Sequence, residues 1–308
     1  MRISKAYPAR RDRFWRVLHQ LADQYRPQFN EAVLGALQQT RRASTYVAVQ
    51  RALEAGDPES VVRILGLDDL EDALTYSIRD ALRGLYGAAA AAAVRALPEK
   101  VGLRMSFDLL NPSTVDFLRT YELGLVKSVA DSSKAALRDV LARAYVSGGT
   151  PAQIARTIRP MVGLLPRDSL AVGNYWAGLV EQGADLGKAE RLAGDYAERL
   201  INQRADVIAR TETIRAAGAG REAAWRQALE HGLLDPRRWR RYWLTTPDDR
   251  LCSACENIPL YNDEGVGFDE LFETDGEPVM QEPLHPNCRC SIVIREVEPA
   301  LGAIEEVA

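Results

Sequence analysis

A chain of 308 residues with 46% hydrophobic and 27% charged positions is long enough for two or more domains with ordinary cores, and too apolar to be a disordered protein. No run reaches the roughly 18 to 20 apolar residues that span a bilayer, and MRISKAYPARRDRFW lacks the apolar core of a secretory signal, so no membrane association is expected and synthesis in a reducing cytoplasm is. The net charge of −4 conceals an uneven layout, 10 basic against 3 acidic residues over 1–51 and 3 against 15 over 248–308, which argues against uniform coating of nucleic acid and for differently charged partners at the two ends.

Taken in order, Arg10 to Leu37 places Phe14, Val17, Leu18 and Leu21 at helical spacing among Arg11, Arg13 and Arg16, and predicts one or two helices broken near Pro27. The basic face of this stretch, with Phe14 and Trp15, is a candidate contact for DNA or a membrane surface; a solvated face over a core stripe is the plainer reading. Asp57 and Pro58 open a short segment. Asp68 to Leu97 reads as a helix through an alanine tract, Ala88 to Ala93, whose smooth surface suits close helix packing. Asn111 and Pro112 mark a turn, with Ser113 expected to cap a segment through Ala130. Asp131, Ser132 and Ser133 are expected to start a further helix that runs through Tyr145 and ends at Gly148 and Gly149. Thr150, Pro151 and Gln153 form a capping box for the next.

A break at Gly163 to Pro166 precedes a helix over Asp168 to Gln182. Ala189 to Glu230 reads as one long helix, or two with a bend near Gly218 and Gly220. On it Leu200, Ile201, Ala205 and Ile208 share a face with Thr211 and Glu212. A carboxylate on an apolar stripe requires a partner, which Arg215 can supply three residues on, while Arg210 is better placed for Asp206. The expected role of these residues is a structural network rather than acid or base chemistry.

Past Gly232 the pattern changes. Arg240 to Thr246 has the aromatic and β-branched makeup of a strand, and Pro247, Asp248 and Asp249 turn it into Cys252 and Cys255. Glu256 to Glu282 reads as a long irregular excursion, and Ser291 to Val297 as the returning strand. Every cysteine lies here, and His285, Cys288 and Cys290 follow the C-x-x-C pair after about thirty residues. Thiolates and an imidazole in this arrangement point to structural Zn²⁺, held by Cys252, Cys255, Cys288 and one of His285 or Cys290. Disulfides and free thiols are the alternatives, and a reducing compartment favours metal. Catalytic zinc would call for a carboxylate or a second histidine beside an open position, and only His285 is close in sequence. The fold class expected is mainly α with a small C-terminal α+β zinc-knuckle module.

Three stretches, IARTETIRAAGAGREAAWRQA (208–228), TTPDDRLCSAC (245–255) and PLHPNCRC (283–290), resemble the phage Mu F-like family of minor head proteins, also called phage head morphogenesis proteins. Weaker similarity in GGTPAQIARTI and AVGNYWAGL extends the resemblance over roughly 131–297. The resemblance implies a low-copy component of a tailed-phage or prophage-derived head, associated with the portal protein and capsid components during assembly, in the virion and in host cytoplasm before that, with a part in DNA packaging or delivery. It places the family's motif positions on Arg210, Thr211, Glu212, Cys252, Cys255, His285, Cys288 and Cys290. The family often has an asparagine shortly after the ARTET run, where this chain reads AGAG over 217–220. The organisation expected is a helical region over 1–130 that docks portal or capsid, a head morphogenesis domain over 131–297 with its knuckle at 250–295, and an acidic tail over 298–308. No enzymatic activity is expected. The alternatives are a zinc-braced HNH-like nuclease, which would need His19 or His231 as a second histidine, and an ADP-ribosyltransferase-related module, for which only Glu212 speaks.

Overall fold

The computed structural model describes residues 13–43, 45–102, 105–120, 124–146, 150–246 and 248–297. Helix α1 (Arg13–Ala43) continues through Pro27, where a break was expected. An internal proline costs a helix its i to i−4 bond, and burial of Phe29, Val33 and Leu37 in the following turns offsets that cost. Helix α2 (Tyr46–Glu54) has no counterpart in the sequence reading; the Thr45 hydroxyl caps it by accepting from the Ala48 N–H at 3.2 Å. In α3 (Pro58–Ile64) the Asp57 carboxylate accepts from the Ser60 N–H at 3.0 Å, with proline at the first position as expected. Helix α4 (Leu70–Ala96) carries the alanine tract. A short α5 (Glu99–Gly102) follows, then α6 (Pro112–Thr120).

The cap of α6 is Asn111, whose side chain accepts from the Ser113 N–H at 3.0 Å, and not Ser113. Helix α7 (Gly124–Val146) runs straight through Asp131 to Ser133, where a start was expected. The Ser132 and Ser133 hydroxyls donate back to the Val129 carbonyl at 3.3 and 2.6 Å, so both are satisfied inside the helix. The capping box of α8 (Pro151–Ile158) forms: Thr150 N–H donates to Gln153 Oε1 at 3.0 Å and Gln153 N–H to Thr150 Oγ1 at 3.3 Å. Helix α9 (Pro166–Glu181) follows, and then α10 (Leu186–Glu230), 45 residues uninterrupted at Gly218 and Gly220.

The remaining elements are β1 (Trp239–Leu244), α11 (Ser253–Tyr261) and β2 (Ser291–Glu296). The strands pair antiparallel, Trp239 opposite Glu296 through Leu244 opposite Ser291. The excursion expected to be irregular therefore begins with a helix; beyond Tyr261 it holds only isolated bridges, Arg241 with Val266 and Phe272 with Val279. The architecture is mainly helical with one small two-stranded sheet near the C-terminal end. Among the described residues no helix is long and apolar enough to cross a membrane. The expectations at Arg10, Arg11, Gly148, Gly149, Pro247 and the tail 298–308 lie outside the described residues.

Two compact units form, one of Met1–Arg26, Ala81–Tyr121 and Arg210–Ala308, the other of Pro27–Asp80 and Glu122–Ala209, and α1, α4 and α10 contribute to both. In the second, buried Arg204 donates to the Gly163 carbonyl and, at 2.8 Å, to Ser132 Oγ, and burial pushes its guanidinium down to about 10. In the first, Gly220 lets α10 lie backbone to backbone on α4: a Cβ there would stand 2.2 Å from the Tyr86 carbonyl oxygen. The core of this unit joins Trp225, Trp243, Phe268, Phe272, Ile258 and Ile292 to the buried cysteines.

Candidate metal centre

The two strand ends are clamped before any metal is considered. The Arg289 guanidinium grips the Asp248 carboxylate with both terminal nitrogens, one at 2.7 Å, and Thr246 Oγ1 donates to the Arg289 carbonyl at 2.8 Å. Arg289 holds the Asp248 carboxyl well below its ordinary range, at about 2. This clamp sets the residues flanking Arg289, Cys288 and Cys290, beside the C-x-x-C pair.

Cys252 is the N-cap of α11, its Sγ accepting from the Cys255 N–H at 3.4 Å, and the first turn of the helix carries Cys255 inward. His285 Nε2 lies 3.2 Å from both Cys252 Sγ and Cys255 Sγ, and Cys255 Sγ lies 3.8 Å from Cys288 Sγ. The donors form two overlapping triplets, Cys252 with Cys255 and His285, and Cys255 with Cys288 and Cys290, each within 4.8 Å. The structure thus brings all five candidate ligands together, with Cys255 common to both sets. None of the four cysteines is in a disulfide.

The chemistry of this set fits a metal ion. Two thiolates on a tetrahedral ion with metal–sulfur bonds of about 2.3 Å stand about 3.8 Å apart, the separation found between Cys255 and Cys288. His285 Nδ1 lies 2.9 Å from the Pro286 carbonyl, which as an acceptor favours the proton there and leaves the Nε2 lone pair facing the two sulfurs. Hydrogen bonds from Cys255 and Cys290 pull the Cys288 thiol down to about 2, and the same bonds push the thiols of Cys255 and Cys290 up, Cys290 bonding to Cys255 as well as to Cys288. Burial opposes ionisation of Cys252, but the Cys255 N–H and the neighbouring imidazole bring its thiol down. The thiolate favoured at Cys288, beside sulfurs held close enough to share its proton, is the arrangement a cation would take over by displacing those protons.

The ARTET helix reaches this centre. Thr211 Oγ1 accepts from the Asn287 N–H at 3.0 Å, fixing the turn between His285 and Cys288, in which Asn287 takes the left-handed conformation at φ 63°. Glu212 is fully buried and lies 3.5 Å from Arg215, the expected pair. Asp206 accepts from the Asn30 amide, and among the described residues Arg210 makes no ion pair with it. Burial, with Arg289 and Arg26 nearby, holds the Arg210 guanidinium below its ordinary range.

Two residues not singled out by sequence reasoning hold the module together. Arg221, fully buried on α10, grips Glu282 with both terminal nitrogens, one at 2.9 Å, donates to Ser291 Oγ at 3.3 Å and stacks 4.9 Å from the Trp225 ring centre. Arg241, fully buried on β1, donates to the carbonyls of Gly267 at 3.0 Å, Met280 at 2.8 Å and Glu270, and so ties down the excursion. A partial signal was present for the first: Glu282 lies within a stretch, 251–288, that holds no lysine or arginine, so an arginine partner had to come from elsewhere, although nothing in the sequence singled out Arg221.

Comparison with other proteins adds no neighbour. No family model, no curated protein and no solved structure matches the chain.

Proposed function

We propose that this chain is a minor head protein of a tailed phage or prophage-derived particle, low in copy and associated with the portal during head assembly, with a C-terminal module braced by structural zinc. The observation that carries the reading is the hydrogen bond from Asn287 N–H to Thr211, which joins two of the three stretches on which the family resemblance rests, 76 residues apart, at the cysteine cluster itself. The donor set favours zinc, since thiolates with one imidazole at tetrahedral spacing suit it better than an oxygen-seeking cation. Cys252, Cys255, His285 and Cys288 would hold the ion and close its coordination, leaving no position for substrate. Zinc would replace a shared proton network among the sulfurs with fixed bonds, and the helical region over 1–130 would dock portal or capsid.

Purification under reducing conditions, with zinc measured per chain and co-sedimentation against the portal ring encoded beside it, tests both halves. One ion per chain together with portal binding is the expected result. A chain that binds DNA and not the portal would overturn the assembly role, and Mg²⁺-dependent plasmid cleavage lost in His285→Ala would replace it with a nuclease.

A further inference from the structure

The second candidate site lies on the outer edge of the sheet. Val297 N–H donates to the Arg238 carbonyl at 2.7 Å, one step beyond the Trp239–Glu296 pair, which fixes the phase of the ladder. Antiparallel alternation then turns the backbone groups of Arg241 away from β2, where they exchange bonds of 2.8 and 2.9 Å with Val266. The same alternation turns the N–H and C=O groups of Ile294 and Glu296 away from β1. Among the described residues nothing hydrogen-bonds to those groups. Edges of this kind are normally paired, covered or blunted, because they template a further strand.

Beside the open edge runs a groove of about 990 Å³, floored by Phe14, Leu97, Trp225 and Trp239 and walled by Val293 to Glu296. Its rim is cationic. Arg13 and Arg95 line it, are exposed, and form no ion pair among the described residues, while the one acid on the wall, Glu296, is held by Arg238 at 2.6 Å. Arg295 lines the wall as well, its guanidinium 5.3 Å from the Tyr242 ring centre.

We propose that this groove docks an extended, acidic segment of a partner protein, which pairs with β2 as a third strand. The backbone of Ile294 and Glu296 supplies the register, the aromatic floor takes apolar side chains at alternate positions, and Arg13 and Arg95 meet the carboxylates between them. The assignment is independent of the metal and of the assembly role. The two exposed arginines select an acidic partner over a basic one, and the free main-chain edge selects a peptide over a nucleic acid.

The test uses the full chain and a fluorescein-labelled hexapeptide of alternating glutamate and valine, followed by fluorescence anisotropy and by amide hydrogen exchange. Saturable one-to-one binding is expected, with exchange slowed at Ile294 and Glu296. Arg95→Glu should weaken it by roughly ten-fold or more, as should methylation of alternate peptide nitrogens. Glu296→Pro removes one outward N–H without breaking a backbone bond to β1; it also releases Arg238, which Glu296→Gln does equally, so binding should be weaker in Glu296→Pro than in Glu296→Gln, with circular dichroism checking that the fold persists. Equal binding of a lysine-valine or an N-methylated peptide would overturn the proposal, as would displacement by a single-stranded oligonucleotide or no saturation at concentrations on the order of 1 mM. Protection of the Ile294 and Glu296 amides in the chain alone would mean that its own residues fill the edge, and would overturn it too.

Discussion

Replacing Gly220 by alanine should destabilise the protein, although alanine is the better helix former. Substitution inside α10 gains about 1 kcal/mol of helix propensity. Against this, the new Cβ would sit 2.2 Å from the Tyr86 carbonyl oxygen, 2.9 Å from its carbon and 3.1 Å from its Cα, all backbone atoms of α4 with no rotamer to escape into. Reaching even 3.0 Å requires the helices to part by about 0.8 Å, and gaps of about 0.5 to 1 Å forfeit a quarter to a half of each dispersion contact along the interface. Overpacking of this kind costs about 1 to 3 kcal/mol, and an immovable neighbour places Gly220→Ala at the upper end, for a net loss of about 2 kcal/mol. Gly87→Ala is the matched control. It sits on α4 next to Tyr86, its Cβ would meet only the Leu109 side chain at 3.6 Å, and it should stabilise by up to about 1 kcal/mol. Urea denaturation followed by tryptophan fluorescence and circular dichroism should separate the two variants by about 3 kcal/mol. If Gly220→Ala proves as stable as Gly87→Ala, the close approach of the two backbones is wrong.

Three further outcomes are expected. Cys288→Ala should abolish the bound ion while Cys290→Ala retains it, because Cys288 stands at metal-ligand separation from Cys255; elemental analysis showing the reverse would move the fourth ligand to Cys290. Arg241→Met should cost about 3 to 5 kcal/mol, since it leaves buried carbonyls and the partly compensated Glu222 without their cation, and limited proteolysis should then cut within 263–282; an uncut, equally stable variant would refute the tie. Burial holds His19 down to about 4, with Glu282 and Asp23 only partly opposing, and its ring stacks 4.1 Å from that of Trp15. Because the folded-state value lies below the unfolded one, its contribution is complete above pH 6.5 and falls as pH drops towards about 4, by at most about 3 kcal/mol. Stability of the wild type relative to His19→Phe should fall across that window, and a flat difference would refute the assignment.

What the sequence made legible was local. The capping box at Thr150 and Gln153, the proline start after Asp57, the alanine tract and the two strands each carry their own backbone instruction, and each forms. The cysteine cluster was equally plain, because four thiols and an imidazole sit in 39 residues, from Cys252 to Cys290. The misses have identifiable physical causes. At Pro27 and at Asp131 to Ser133 local preference pointed to a helix boundary; burial of Phe29, Val33 and Leu37 offsets it at the first, and bonding of both serine hydroxyls back to Val129 satisfies the second inside the helix. Helix α11 was hidden because its first turn is nucleated by Cys252, a residue type absent from the ordinary capping repertoire. Arg221 and Arg241 could not be ranked above the other arginines, since their partners lie 61 and 26 to 39 residues away.

The pairing of Arg221 with Glu282 bears on how this chain can be cut and recombined. A graft that begins at the turn near Gly232 would carry the glutamate and leave its cation behind, burying a lone charge in the transplant and another in the donor. A transferable piece must therefore include the latter part of α10 with Arg221, and with it the α4 backbone against which Gly220 lies, so this end of the chain does not move as a contiguous cassette.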